Sequence, residues 1–278
     1  MKLWRQQKKV LQIGLALHGQ KAEATLVDDS PAKLSVYDLG TIESLSSLAA
    51  LADFFKQLRQ EPKIKGKPCK LHIALDDSYT EQQIQHYSTQ LDQAAINATM
   101  SKTGYRHDFE ILSSNNTKAT QVVRVVYSKR SVIDVLAQLC QTSGFHLQSI
   151  EPTQDAAARA ILHHSKQSVQ SFLLLLASHF GMSVALINEK KILDVAQLAA
   201  NAENTMTLLE CQQRFNATHP ACHAQQAIVM STIPASTALT DPFLTIPCHQ
   251  LHTMIQNSAT PLALGAGLRG TSGDHYGH

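Results

Sequence analysis

QVVRVVYSKRSVIDVLAQLCQTSGFHLQSIEPTQDAAARAIL, residues 121–162, sets strand, helix, strand and helix patterns in unbroken order, and the rest of the chain is read outward from it. Val122, Val123, Val125 and Val126 surround Arg124. Such a β-branched run suits a pleated strand with one face wholly buried and the other partly so, ending by Ser128. From Ser131 the apolar period becomes helical, with Val132, Leu136, Leu139 and Cys140 on one stripe, and Gly144 stands where a left-handed residue stops a helix. Residues 145–150 predict a second strand. Pro152 and Thr153 then open an alanine-rich helix through Arg159 towards His163.

Upstream, residues 10–17 and 21–27 are short β-type runs separated by His18-Gly19-Gln20, and Asp28-Asp29-Ser30-Pro31 makes a turn before a third run at 33–39. Thr41 is placed to cap a helix whose apolar face is Ile42, Leu45, Leu48, Leu51, Phe55 and Leu58. The basic run at 63–68 reads as a solvated loop. Residues 70–75 alternate, with Leu71, Ile73 and Leu75 on one face, and predict a fourth strand. From Thr80 a polar helix with Ile84, Tyr87, Leu91 and Ala95 at helical spacing is expected, then a strand at 105–112 and a loop at 113–117.

Downstream the pattern repeats: three β-type runs at 171–177, 182–187 and 190–197, a helix bearing Leu208, Leu209, Cys211 and Phe215, and a strand at 227–230. A segment punctuated by Pro234, Pro242 and Pro247 precedes the final element at 262–269 and a small, polar tail. Two copies of "three strands, helix, strand" imply a duplicated α/β core. The expected division is a first lobe at 1–75, an inserted α/β subdomain at 76–151, a helix at 152–168 returning to the first lobe, and a second lobe at 169–278.

A chain of 278 residues is long enough for two cores. With 24 Lys and Arg against 22 Asp and Glu, the net charge of +2 gives no sign of a nucleic-acid partner. Five cysteines at irregular spacing make no disulfide framework and suit a reducing compartment. Lys2, Arg5, Lys8 and Lys9 precede the apolar residues 10–17 and imitate a signal peptide, but Gln12 and His18 interrupt the run, which is read as a strand. No apolar run reaches the ~20 residues of a membrane-spanning helix. Cys211, His219, Cys222, His223, Cys248, His249 and His252 gather in the second half without a paired zinc-ligand spacing, and no metal is expected. Gly-x-Ser-x-Gly and Walker-type motifs are absent from the sequence.

The order within 121–162, valine-rich strand, helix, Ser-Gly-Phe, strand, Glu-Pro-Thr, Asp-Ala-Ala-Ala-Arg-Ala, is joined by Leu11-Gln12-Ile13-Gly14-Leu15 and by Leu262-Ala263-Leu264-Gly265-Ala266-Gly267-Leu268-Arg269. Together they resemble the PilM-type pilus-assembly proteins, including their shorter HofM- and MshI-like relatives in DNA-uptake and mannose-sensitive pilus systems. That resemblance implies an actin-like, ribonuclease H-like duplicated fold of two lobes with an inserted α/β subdomain.

In this fold the first turn of each meander faces a nucleotide, and ATP-binding members generally carry an Asp in each. The corresponding positions here are Ala16 and Ala177, with Gly14, Gly19, Ser178 and Gly181 around them, a cleft read as degenerate. Alanine offers Mg²⁺ no oxygen ligand, so ATP is disfavoured and no cofactor is expected. The double-Gly adenosine loop is also replaced, near residues 228–236, by Met230-Ser231-Thr232-Ile233-Pro234.

The resemblance further implies a cytoplasmic, non-catalytic adaptor of a type IV pilus, mannose-sensitive pilus or DNA-uptake machine, reaching the membrane through the tail of a bitopic PilN-like partner. That tail is expected in a groove between the first lobe and the subdomain, with Leu71, Ile73, Tyr87, Arg124 and Tyr127 as contacts. The alternative is an ATP-binding protein or sugar kinase of the same fold, for which Asp76 or Asp77 is the available general base.

Overall fold

Fold-defining pairing begins with β1 (Leu11–His18), β2 (Lys21–Ser30) and β3 (Lys33–Ile42), followed by α1 (Leu48–Gln60) and β4 (Cys69–Leu75). Next come β5 (Thr80–Tyr87), α2 (Gln93–Thr99), β6 (Tyr105–Asn115), β7 (Thr120–Lys129), α3 (Arg130–Thr142), β8 (His146–Pro152) and α4 (Thr153–His164). The second half holds β9 (Ser171–Ser178), β10 (Gly181–Asn188), β11 (Lys191–Ala199), α5 (Leu208–Thr218), β12 (Gln226–Ser231), β13 (Cys248–Gln250) and α6 (Pro261–Leu268). This computed structural model describes residues 10–30, 33–42, 47–115, 120–165, 170–178, 181–199, 207–231, 246–250, 261–269 and 271.

The duplication is visible in strand order. One sheet runs β3-β2-β1-β4-β8 and another β11-β10-β9-β12-β13; in each, three antiparallel strands are extended by two parallel ones. A third sheet, β5-β7-β6, is wholly antiparallel.

Alternation along the strands builds layers. Ile13, Leu15 and Leu17 of β1, with Leu71, Ile73 and Leu75 of β4, pack with Phe54, Phe55 and Leu58 of α1 and Leu136 and Cys140 of α3. On the opposite face, Ala16 and Ala74 join α4, α6 and the inward face of the second sheet, including Phe172, Leu174, Ala185 and Ile228. The outer face of that sheet packs on Leu208, Cys211 and Phe215 of α5. The helical layer between the sheets is thus α4 and α6, and their alanines and glycines are what allow backbones to lie so close.

Several elements differ from expectation. Residues 80–87 form a strand, because β7 is a central strand whose backbone groups need a partner on each edge. Every residue from Thr80↔Ser128 to Tyr87↔Gln121 supplies that partner, and pairing overrides the helix preference of Glu and Gln. The helix begins later, at α2, where the Asp92 carboxylate accepts the N–H of Ala95 at 2.7 Å. Likewise Thr41 and Ile42 belong to β3, and α1 is capped by Ser47, whose hydroxyl accepts the N–H of Ala50 at 3.2 Å; Leu45 lies outside the described residues.

The divisions shift too. All of β8 but Pro152 falls within the expected subdomain 76–151, yet the strand pairs in parallel with β4 as the fifth strand of the first sheet. The inserted unit is therefore the sheet β5-β7-β6 with α2, which buries Ile96, Met100, Val123, Val125 and Tyr127. α6 comes from the expected second lobe, yet it packs on β1, β2, β4 and α4.

Candidate functional site

The turn between β1 and β2 is held by Gly19 at φ +58°. Its N–H donates to the carboxylate of Asp76 at 2.5 Å, and Asp76 also accepts the N–H of Ser78 at 3.0 Å and the Ser78 hydroxyl. Asp76 follows β4, the parallel neighbour of β1, so the register alone brings the carboxylate beside the turn. A backbone donor in such a turn is a natural phosphate ligand; here the chain's own carboxylate bonds it.

Gly14 has a packing role. A Cβ there would lie 1.7 Å from the carbonyl oxygen of Ala263 and 2.4 Å from the nitrogen of Gly267, so the backbone of α6 rests on β1 at this point. Gly265 makes the equivalent approach to Ala156 of α4, where an added Cβ would lie 1.8 Å from the carbonyl oxygen. Ala16 is buried between Glu23 and Ala74, and Ala177 is buried between Met182 and Ser231. Ser178 pairs with Gly181, whose φ is +135°. The expected adenosine loop lies mostly outside the described residues.

Next to Asp76 stands a polar bridge between the two halves. The side-chain amide of Gln154, at the start of α4, donates to Asp77 at 2.7 Å and to the Ser183 hydroxyl of β10 at 2.6 Å. Gln154 is fully buried, and its Oε1 has no hydrogen-bond partner among the described residues. Burial pushes the Asp77 carboxyl up from its ordinary range, against the Gln154 hydrogen bond, and the neighbouring Asp76 charge adds to the rise.

A second network surrounds the first turns of α4. Arg124 is 4 % exposed; its guanidinium donates to both oxygens of Asp155, at 2.8 and 2.5 Å, and to Gln82. Burial alone would raise the Asp155 pKa, but the charge and hydrogen bonds of Arg124 hold it below the usual carboxylate range. Glu151 at the end of β8 is clasped by Arg159, at 2.7 and 2.9 Å, and by Arg269, at 2.7 Å. Arg159 also donates to the carbonyl of Gly265 at 2.8 Å, tying α6 to α4. Nearby, His72 bonds Ser149 at 2.8 Å and Gln12 at 3.0 Å, and burial, with Arg269 and Arg159 adding to it, lowers its pKa to about 4.

These contacts correct the expected groove. Leu71 and Ile73 have no exposure and belong to the core beneath α1 and α3. Tyr127 is buried edge-on against Tyr105, with ring centroids 6.5 Å apart, and Arg124 is engaged by Asp155. Both edges of β7 are taken by β5 and β6, so residues 122–127 have no free edge for a peptide. Tyr87, half-buried on β5, is the position of the five left at a surface. One sequence signal foreshadowed the network: a lone Arg in a run of buried valines requires a buried acid, and Asp155 was within the same stretch.

The cysteines are unpaired, and burial pushes the thiols of Cys140 and Cys211 up to about 12 and 11. Among the described residues no three His, Cys, Asp or Glu side chains gather to hold a metal; His252 lies outside them. Nor is any described helix long and apolar enough to cross a membrane.

No protein-family model and no curated protein sequence matches the chain. Among solved structures, a PilM-PilN type IV pilus biogenesis complex aligns over 93% of this chain and 98% of its own, with TM-score 0.65 and 13% identity. A Bacteroides thetaiotaomicron protein of unknown function with an actin-like ATPase fold aligns over 91% and 95%, with TM-score 0.53 and 8% identity. The fold is actin-like. Within this actin-like frame, the β1–β2 turn and the β9–β10 turn are the corresponding turns of the two copies, and Gln154, Asp77 and Ser183 join the copies near them.

Proposed function

We propose that this actin-like chain is a non-catalytic cytoplasmic adaptor of a type IV pilus, mannose-sensitive pilus or DNA-uptake machine, and that it binds the cytoplasmic tail of a PilN-like inner-membrane protein. The observation that carries the reading is the occupied turn: Asp76 takes the Gly19 N–H that a nucleotide phosphate would use. The alanines at 16 and 177, where metal-organising carboxylates are expected, support the same reading. So does the likeness to a solved complex that joins a PilM to a PilN. The tail is assigned to an outer edge of the subdomain sheet, β5 or β6, with which no other strand pairs among the described residues and where an extended peptide gains backbone hydrogen bonds.

Two titrations test this with the full chain: Mg-ATP followed by calorimetry and phosphate release, and a synthetic peptide of the cytoplasmic tail of the single-span protein encoded by a neighbouring gene. Tail binding without nucleotide turnover is expected. Tyr87→Ala is expected to weaken the tail by ~1 to 2 kcal/mol. Sustained ATP hydrolysis with no affinity for the tail would replace the adaptor with a kinase or ATPase, the function of the alternative reading.

A further inference from the structure

We infer that the outer edge of β5 pairs with the β5 of a second copy of this chain, so that two subdomain sheets join into one. Among the described residues the three sheets have six outer strands: β3, β8, β11, β13, β5 and β6. A bare strand edge offers unpaired backbone groups to any other chain, and a bulge or a very short strand blunts it. Four of the six carry one extra residue against their inner neighbour: Leu39 of β3, Gln148 of β8, Leu193 of β11 and Leu112 of β6. A fifth, β13, has three residues. Of these six, β5 alone is long and runs in unbroken register, from Thr80↔Ser128 to Tyr87↔Gln121.

The side chains of β5 leave this edge open as well. The strand has no lysine, proline or glycine, and its one acid, Glu81, is held by Lys102 at 2.6 Å. On one face Glu81, Gln83, Gln85 and Tyr87 are bonded head to tail. The Gln83 amide donates to Glu81 at 2.7 Å, the Gln85 amide to Gln83 at 3.3 Å, and the Tyr87 hydroxyl to Gln85 at 2.5 Å. This row is ordered before any partner arrives, which lowers the entropy cost of pairing. Gln83 and His86 are exposed. β11 comes near β5, yet it pairs with β10 and not with β5.

The occupant follows from the strand's own sequence. Antiparallel pairing about a two-fold axis at Ile84 sets Gln83 opposite Gln85, Gln82 opposite His86 and Glu81 opposite Tyr87. No like charges meet, and amides, which both donate and accept, face amides beside the axis. The other edge of the same sheet is different: β6 carries Arg106, Asp108 and Glu110 besides its bulge. The eight residues of β5 span about 27 Å. One strand edge of that length makes a small interface, so the dimer is weak and concentration-dependent. A partner tail on the same edge displaces the second copy, so the chain is tested alone.

The test is sedimentation velocity of the full chain, with no peptide present, over roughly 1 to 300 μM, the range of a weak interface. A monomer–dimer equilibrium is expected. The double variant Gln83→Lys with Gln85→Lys sets like charges opposite each other on both sides of the axis, and should associate at least roughly tenfold more weakly. Its unfolding midpoint, at a dilution where wild type is monomeric, shows that it is folded. Gln83→Glu with Gln85→Glu should lose the dimer in the same way, and an equimolar mixture of the two variants should recover it, which damaged folding would not do. Asp108→Lys, on β6, should associate like the wild type. A wild-type chain that stays monomeric throughout, a dimer unmoved by the charged variants, a mixture that stays monomeric, or loss of the dimer in Asp108→Lys would overturn the inference. None of these results depends on binding of the partner tail.

Discussion

At the scale of single residues, burial decides roles that residue type suggested differently. Arg124 and Tyr127 are residue types that often anchor a bound peptide, yet both lie inside the protein. Removing one partner of a buried ion pair leaves the other charge uncompensated, so Arg124→Ala is expected to cost about 3 kcal/mol or more. Urea unfolding would register it, and a variant as stable as wild type would return Arg124 to the surface. His72 gives a pH signature. Its pKa is about 4 in the fold against an ordinary 6.5, so the unfolded chain takes up the proton first as pH falls. Stability is therefore present above pH 6.5 and is lost towards pH 4, by at most about 3 kcal/mol. His72→Asn should flatten that slope. The lone Arg among valines hinted at the first role, but nothing in the sequence showed the second, because strand alternation reports which face a side chain takes and not which charges share that face.

At the scale of elements, the sequence was most legible where composition and period agreed. β1, β2, the three strands of the second meander and the helices α3, α4 and α5 stand close to their expected positions. It was least legible where pairing partners decide: residues 80–87 have a helical composition, and only the unfilled edge of β7 makes them a strand. β8 was recognised as a strand, but its membership of the first sheet depends on a parallel pairing with β4, 76 residues earlier by the Lys70↔His146 register. Gly14 tells the same story for α6. Its glycine was read as a cleft residue, whereas the helix backbone lies on it. Gly14→Ala should displace α6 and cost about 3 kcal/mol or more, the upper range for overpacking. Gly19→Ala meets no atom within 4 Å and pays mainly for φ +58°, about 1 kcal/mol. Thermal unfolding of the pair separates a packing glycine from a turn glycine; equal midpoints would mean that α6 has room to move.

At the scale of the whole molecule, the duplicated order of strands was readable because each half repeats its own local pattern, but the join between halves was not. That join is made by α4 and α6 and, among polar groups, by Asp77, Gln154 and Ser183. Asp77 is the sharpest probe of what the join is for. Burial raises its pKa, so the folded chain keeps the proton to higher pH than the unfolded chain does, and stability falls as pH rises from about 3.8 through the raised value. An acid kept half-buried at such a cost is a catalytic candidate in an enzyme and a structural compromise in an adaptor. Asp77→Asn distinguishes the two. The amide keeps an oxygen for the Gln154 donor and removes the half-buried charge, so the variant should unfold at a higher temperature at pH 7 and lose the pH slope in that window. If the protein is an adaptor, its affinity for the partner tail should be unchanged by the substitution. If Asp77 were instead the general base of a kinase, the same stabilised variant would lose phosphoryl transfer while still binding Mg-ATP, and the join between the halves would be an active site.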